Sequence, residues 1–358
     1  MSYAGRALSP ALPVLTNAAP RERRASLFSA LPTELAAQGY RNPAHAFALI
    51  QRPWLWQAGR PAFGRKDHDL RAALVAPPAL LERHHAADGS TKLLIEVDSG
   101  DRVEAVHMPR AIGAGRVTLC ISSQVGCAMG CTFCATATMG FKRQLLAHEI
   151  VGQVLSAVHA LGPRHPGDIT LVFMGMGEPL HNLAHVARAI RVLCEPGGLG
   201  LSARRITVST SGLVPEIAEL GALEPRPMLA VSVNATTDAQ RSALMPISRR
   251  YPLAELRAAL ERYPARPRER ITVEYVLLAG VNDTPDDARR LSDWCIGFPH
   301  QINLIPFNEH ASSEFHAPTE AAVDAFARAL LEHRRSVLTV RRSRGRDVGA
   351  ACGQLVLG

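Results

Sequence analysis

The chain holds 358 residues, 47% of them apolar and 20% charged, with a formal charge of +8 at pH 7. This length supports one large core plus a small second unit, and the composition is that of an ordinary soluble globular protein. No apolar run approaches the length of a membrane span, since the most apolar stretches, such as 169–174, are only strand-sized. The first thirty residues carry Arg6, Arg21, Arg23 and Arg24 without an apolar core and small-residue cleavage site, so no secretory signal is read and a cytoplasmic protein is expected. Seven cysteines, at 120, 127, 131, 134, 194, 295 and 352, are too few and too unevenly placed for a secreted disulfide framework. In a reducing compartment their clustering reads as metal binding or catalysis. The positive charge calls for an anionic partner, for which nucleic acid is favoured over a membrane because no basic amphipathic anchor stands out. Residues 1–75 hold ten Arg/Lys against four acids, which places +6 of the +8 there. A merely solvated surface is the plain alternative.

In chain order, residues 1–25 are rich in Ala, Pro and Arg without a period and read as a flexible basic arm. Residues 26–90 show short helical patterns broken by Pro and Gly and read as a helical accessory domain, with Trp54, Trp56 and Phe63 as core. Residues 91–115 turn to β patterning around Ser99-Gly100-Asp101, which predicts a hairpin extension. From 116 to 343, strand patterns at 117–122, 169–174, 206–209, 229–233, 271–278, 301–305 and 337–341 alternate with helical patterns at 144–161, 182–194, 214–221, 252–263, 284–296 and 319–334. This alternation predicts an α/β core with a parallel sheet, in a partial (β/α)6-type barrel with its chemistry at the C-terminal strand ends. Met174–Pro179, Ser209–Gly212, Ser232–Asn234 and Pro306–Asn308 all fall there. A doubly wound sheet would also put them there, but no GxGxxG follows the first strand. Residues 344–358 form a C-terminal tail.

Cys127, Cys131 and Cys134 stand in a CxxxCxxC spacing directly after the first core strand. Thiolates are soft ligands for iron–sulfur clusters and zinc, and three ligands leave one position open to a small molecule. A zinc loop completed by a distant ligand, or a Cys131–Cys134 redox pair, is the competing reading. After the second strand, Gly175-Met-Gly177-Glu178-Pro179 combines glycines that let backbone approach a ligand with a carboxylate suited to an ammonium group. Cys352, in a glycine-flanked tail, and Cys120, on a strand expected to be buried, each pass individually as ordinary packing thiols.

The cysteine loop resembles the signature of the radical S-adenosyl-L-methionine (SAM) superfamily, and Gly175–Pro179 resembles its SAM-binding element. Leu119–Cys127, Met139–Arg143, Met174–Pro179, Val208–Gly212, Leu244–Tyr251, Asn303–Asn308 and Arg344–Leu355, in that order, are together similar to the RlmN/Cfr family, with the match covering roughly residues 90–358. In residues 1–90 only Gly59–Lys66 is similar to that family's N-terminal domain.

The resemblance implies one 4Fe-4S cluster on Cys127, Cys131 and Cys134, whose open iron binds SAM, and two SAM molecules per turnover. It implies SAM contacts at Gly177, Glu178, Ser209, Ser232, Val233, Asn234 and Asn308. Cys352 is expected to carry a methyl group taken from one SAM. A radical made from the second SAM activates that carbon for addition to an adenine, and Cys120 resolves the adduct through a transient disulfide. Glu104 matches a proposed proton acceptor. The implied activity is methylation of adenosine C2 in 23S rRNA, some members also acting on tRNA. The alternatives are C8 methylation or a non-catalytic iron–sulfur or zinc RNA-binding protein. A flavodoxin-type electron donor is an implied partner. The accessory domain is expected to bind RNA, and Lys142, Arg143, Arg249, Arg250, Arg341, Arg342, Arg344 and Arg346 are expected to grip phosphates. Cys194 and Cys295 read as structural thiols on helices.

Overall fold

Runs of Val, Ile and Leu alternating with amphipathic helical runs leave the second half of the chain one economical solution, a parallel sheet whose strands are covered by helices. The computed structural model describes residues 26–52, 78–109, 115–161, 168–333 and 337–357 and adopts that solution. The expected basic arm (1–25), Trp54, Trp56, Phe63, the 59–66 motif and most of the loop joining the hairpin to the core lie outside those residues.

Strands β1 (Leu80–His85), β2 (Thr91–Glu96), β3 (Arg102–Pro109) and β4 (Val117–Cys120) pair antiparallel in succession. From β4 the sheet continues with parallel strands β7 (Ile169–Phe173), β8 (Ile206–Thr210), β9 (Met228–Ser232), β10 (Ile271–Leu277), β11 (His300–Pro306) and β12 (Leu338–Val340). The parallel strands lie side by side in chain order, whereas a doubly wound sheet reverses its order at a switch point. β1 and β12 are the two edges, so this is an open, partial barrel. A short separate hairpin of β5 (Gln124–Gly126) and β6 (Phe141–Gln144) frames the cysteine loop.

The helices follow from their apolar spacing. Helix Leu183–Cys194 buries Leu183, Val186, Ala189, Ile190 and Leu193, a stripe at 3.6 periodicity, while Arg188 and Arg191 lie off it. Helix Pro285–Trp294 starts in a reciprocal capping box between Thr284 and Asp287 with proline at its first position. Strand β10 is buried along nearly its whole length, and the Tyr275 ring stacks on Phe326 of helix Glu320–His333 at 5.4 Å.

Residues 26–50 are helical as expected, with short helices Pro32–Ala37 and Pro43–Ile50. They share the barrel's core: Phe47 and Leu35 are fully buried, Gln51 Nε2 donates to Phe28 O at 2.9 Å, and Arg188 Nε donates to Ser29 O at 3.0 Å. One expectation needs correction. Leu80–His85, placed within the helical segment by its sequence, is an edge strand paired with β2. Only its first residue is even half-buried, so no alternation of apolar and polar residues marks it.

Candidate active site

The polar motifs converge because barrel strands end on one side. The cysteine loop is set by the β5–β6 hairpin, where Cys127 N donates to Gly140 O at 2.9 Å. A side chain at Gly126 would place its Cβ 1.8 Å from that same carbonyl, so only glycine closes the hairpin here. On the other side of the loop, Thr132 N donates to Leu244 O at 3.0 Å, and Phe133 packs with Leu244, Met245, Leu278 and Phe307. Burial pushes the Cys127 thiol up to about 12 and raises Cys131 and Cys134 as well, and negative charge on neighbouring groups adds to each rise. Three such thiols are costly to ionise alone and gain most from a cation that takes their charge.

One cleft is lined by Cys127, Cys131 and Cys134 together with Gly177, Glu178, Ser209, Ser232, Asn234, Asn308 and Cys352. The expected ligands and SAM contacts therefore share a space, with one exception. Val233 points into the hydrophobic core, and its amide is spent on Glu274 O at 3.0 Å. Glu178 is buried, and its two oxygens accept from Leu180 N at 3.1 Å and Ser211 N at 2.7 Å. Burial raises its pKa, and the Ser211 amide opposes the rise. Asn234 holds a left-handed φ of 56°, and its Oδ1 accepts from Val276 N at 2.8 Å. Asn308 donates to Cys352 O at 3.1 Å, while its Oδ1 is buried without a hydrogen-bond partner.

A second cavity is lined by Cys120, Met108, Met174, Arg341 and Cys352 among others. Cys352 thus belongs to both spaces. The tail that carries it is fastened at several points: Ala135 N donates to Gly353 O at 2.7 Å, Thr136 Oγ1 to Leu355 O at 2.6 Å, and Gln354 Nε2 to Glu309 O at 2.7 Å. Burial pushes the Cys120 thiol up to about 12. Arg341 faces Cys352, Glu274 and Cys120, whose negative charge holds its pKa above the ordinary arginine value. Glu104 lines neither space. It is buried on β3, on the same strand face as Met108, and its Oε1 pairs with Lys92 Nζ at 3.0 Å. Burial raises its pKa against the pull of Lys92.

Several expected phosphate contacts are structural instead. Arg143 is bound by Asp101 at 2.7 Å and by Glu149 at 2.8 Å, and Arg344 is bound by Asp88 and the Pro109 carbonyl. Arg342 pairs with Glu320 at 3.1 Å on the surface. Lys142, Arg249, Arg250 and Arg346 are exposed, with Lys142 tied to Asp101 and Arg250 lying over the Tyr251 ring. Sequence reasoning missed Arg241, which is fully buried beside the cysteine loop. An arginine inside an otherwise ordinary helical run carries no signal of its own.

A family model for the radical SAM superfamily matches residues 121–292. A dual-specificity RNA methyltransferase RlmN from Pelobacter propionicus is 46% identical, over 84% of this chain and 87% of its own. Another from Sorangium cellulosum is 47% identical, over 88% of this chain and 96% of its own. The crystal structure of a radical SAM methyltransferase from Sphaerobacter thermophilus matches with a TM-score of 0.81 at 38% identity, covering 92% of this chain and 97% of that one. With the three thiols at the barrel's open end, these likenesses make the chain a radical SAM enzyme. Within that superfamily it belongs to the RlmN family.

The superfamily implies a 4Fe-4S cluster and SAM. The donor set fits both. The three thiols line one cleft, where they would be available together to a thiolate-bound cluster. Beside the thiols, Glu178 offers the buried carboxylate that SAM's ammonium group calls for.

Proposed function

We propose that this chain methylates C2 of an adenosine in 23S rRNA, with tRNA as a second substrate, through an S-methylated Cys352. The observation that carries this reading is the position of Cys352 at the junction of two spaces, one holding the cysteine loop and the SAM-type contacts, the other holding Cys120. A thiol placed there can receive a carbon on one side and deliver it on the other. The relatives' shared name, dual-specificity RNA methyltransferase, supports RNA as the substrate.

Cys127, Cys131 and Cys134 would hold the cluster, and Glu178 with the Ser209, Ser232, Asn234 and Asn308 side of the cleft would hold SAM. The bound cluster and SAM supply a 5′-deoxyadenosyl radical, with electrons from a flavodoxin-type donor and two SAM consumed per turnover. Adenine C2 is a poor nucleophile, which is why a thiol-borne carbon is needed rather than direct methyl transfer. Cys352 presents that carbon to the base. Once the adduct's unpaired electron has returned to the electron donor and its C2 proton has been taken, the Cys120 thiolate attacks the Cys352 sulfur. The sulfur–carbon bond breaks with its electron pair on carbon, and that carbon takes up a proton to become the base's methyl group. Two equivalents of external thiol reduce the resulting disulfide to restore both cysteines. Arg341 stabilises negative charge on either sulfur. Glu104, whose pKa burial raises and which Lys92 holds, lines neither space, so as the proton acceptor that the family resemblance implies it would act through an intervening group when the adduct collapses.

Cys120→Ala tests the assignment. Under anaerobic turnover it should accumulate protein joined covalently to RNA through Cys352, visible as a shifted band and as a modified peptide by mass spectrometry. An adduct that persists when Cys352→Ala is added would overturn the role of Cys352, and the absence of any adduct would overturn that of Cys120.

A further inference from the structure

Arg241 is the largest fully buried side chain in the core, a charged group where burial is costly unless it is compensated. Its compensation is unusual. Nε donates to Val233 O at 3.1 Å, while one terminal nitrogen donates to Ser211 O at 2.6 Å and Ser232 O at 3.0 Å. The other terminal nitrogen, Nη1, is buried without a hydrogen-bond partner. Main-chain carbonyls satisfy donors but carry no net charge. The neighbouring carboxylate, Asp238, spends Oδ1 on the Leu253 amide at 2.7 Å, and no ion pair to Arg241 forms among the described residues.

The cysteine loop is where a compensating negative charge would arise once its thiols bind a metal centre. Arg241 sits on helix Asp238–Leu244, whose last carbonyl, Leu244 O, accepts from Thr132 N between Cys131 and Cys134. Leu244 and Met245 pack with Cys131, Phe133 and Cys134. The Ser211, Ser232 and Val233 carbonyls that Arg241 binds sit where β8 and β9 run out into the cleft. Burial pulls the Arg241 pKa down to about 10, and Cys131 is the first group that pulls it back up. A guanidinium charged at ordinary pH is therefore buried on the helix that packs against the cysteine loop, bonded by carbonyls and by no carboxylate among the described residues.

We infer that Arg241 is a positioning residue that supplies the buried counter-charge to the thiolate-bound cluster and favours its reduced state, while bracing the two strand ends that face SAM. This rests on the radical SAM assignment above. One-electron reduction adds one negative charge at the cysteine loop without taking up a proton, and a fixed cation a short distance away in a low-dielectric interior stabilises that extra charge. Bracing alone would need only donors. The charge is what distinguishes the two roles.

The test uses the full chain, anaerobically reconstituted with iron and sulfide, comparing wild type with Arg241→Met and Arg241→Lys. Iron and sulfide content, thermal unfolding, and the cluster midpoint potential are measured, the last by mediated titration with dithionite followed by electron paramagnetic resonance. Arg241→Met is expected to shift the potential to a more negative value. Arg241→Lys, which retains charge but loses the guanidinium's fork of bonds, is expected to keep the wild-type potential while unfolding at a lower temperature. A loaded, folded Arg241→Met protein with unchanged potential overturns the inference. If the Met variant does not fold, the Lys variant decides alone, and a negative shift in it contradicts a charge effect. Wild type that takes up no cluster would instead overturn the radical SAM reading itself, an outcome separate from either of these.

Discussion

Gly177 carries more of the site than its size suggests. Its φ is +94°, and an added Cβ would stand 2.5 Å from Gln124 Cβ. Gln124 is the residue whose Oε1 accepts from Glu178 N at 2.7 Å, so crowding at 177 moves the anchor of the cleft's buried carboxylate. Gly177→Ala should cost about 1–3 kcal/mol of stability from backbone strain and close contact. It should also weaken SAM binding about tenfold or more, equivalent to about 1.4 kcal/mol. Calorimetric titration with SAM and a thermal melt check both effects, and unchanged SAM affinity would mean that Glu178 is aimed by something other than Gln124. Family resemblance puts Val233 among the SAM contacts; its side chain lies in the core between Ser232 and Asn234, which line the cleft, so a contact there would be made by backbone.

At the level of elements, the tail is the part whose placement matters most and whose sequence says least. Residues 345–357 have no regular secondary structure beyond the single turn Arg346–Val348. What positions them is a set of individual bonds. Arg344 and Gly345 reach Asp88, Ala87 N donates to Asp347 at 2.9 Å, and Thr136 Oγ1 holds Leu355 O. Thr136→Val keeps the shape and removes the last of these, at a cost of about 0.5–1.5 kcal/mol. The expected result is a C-terminus cleaved faster in limited proteolysis, with the global melting temperature little changed. Equal protection of the two tails would show that the remaining bonds suffice.

For the whole molecule, the barrel's strands and helices were largely legible and its edge strand and small flanking hairpin were not. Strands such as Ile271–Leu277 and helices such as Leu183–Cys194 announce themselves because both periodicity and length are local properties. Leu80–His85 and the β5–β6 hairpin stayed hidden, the first as an exposed edge, the second as a pair too short to show a pattern. The cysteine ligands were readable from spacing. The meeting of Cys120 with Cys352 was not, because it depends on contacts spanning more than two hundred residues, and only family resemblance suggested it. Likewise Arg143 and Arg344 look in sequence like Arg249, and only their carboxylate partners separate structural charges from available ones. Arg249, Arg250 and Arg346 remain exposed at the surface with no carboxylate bonded to them among the described residues. Three phosphate contacts to single-stranded RNA imply roughly a twentyfold loss of affinity between about 50 and 200 mM salt. Filter binding with an rRNA fragment measures this directly, and a flat response would remove the electrostatic part of the account.

The central claim is a reaction, carbon transfer from SAM through Cys352 to an adenine ring carbon in RNA. Its most direct test is mass spectrometry of nucleosides from 23S rRNA incubated anaerobically with the reconstituted chain, dithionite and SAM carrying a deuterated methyl group. The account predicts methyladenosine substituted at C2 that retains two of the three deuterons, because one is lost when the thiol-borne methyl is activated. Methyladenosine retaining all three deuterons, substitution only at C8, or no modified adenosine from a fully cluster-loaded protein would contradict it.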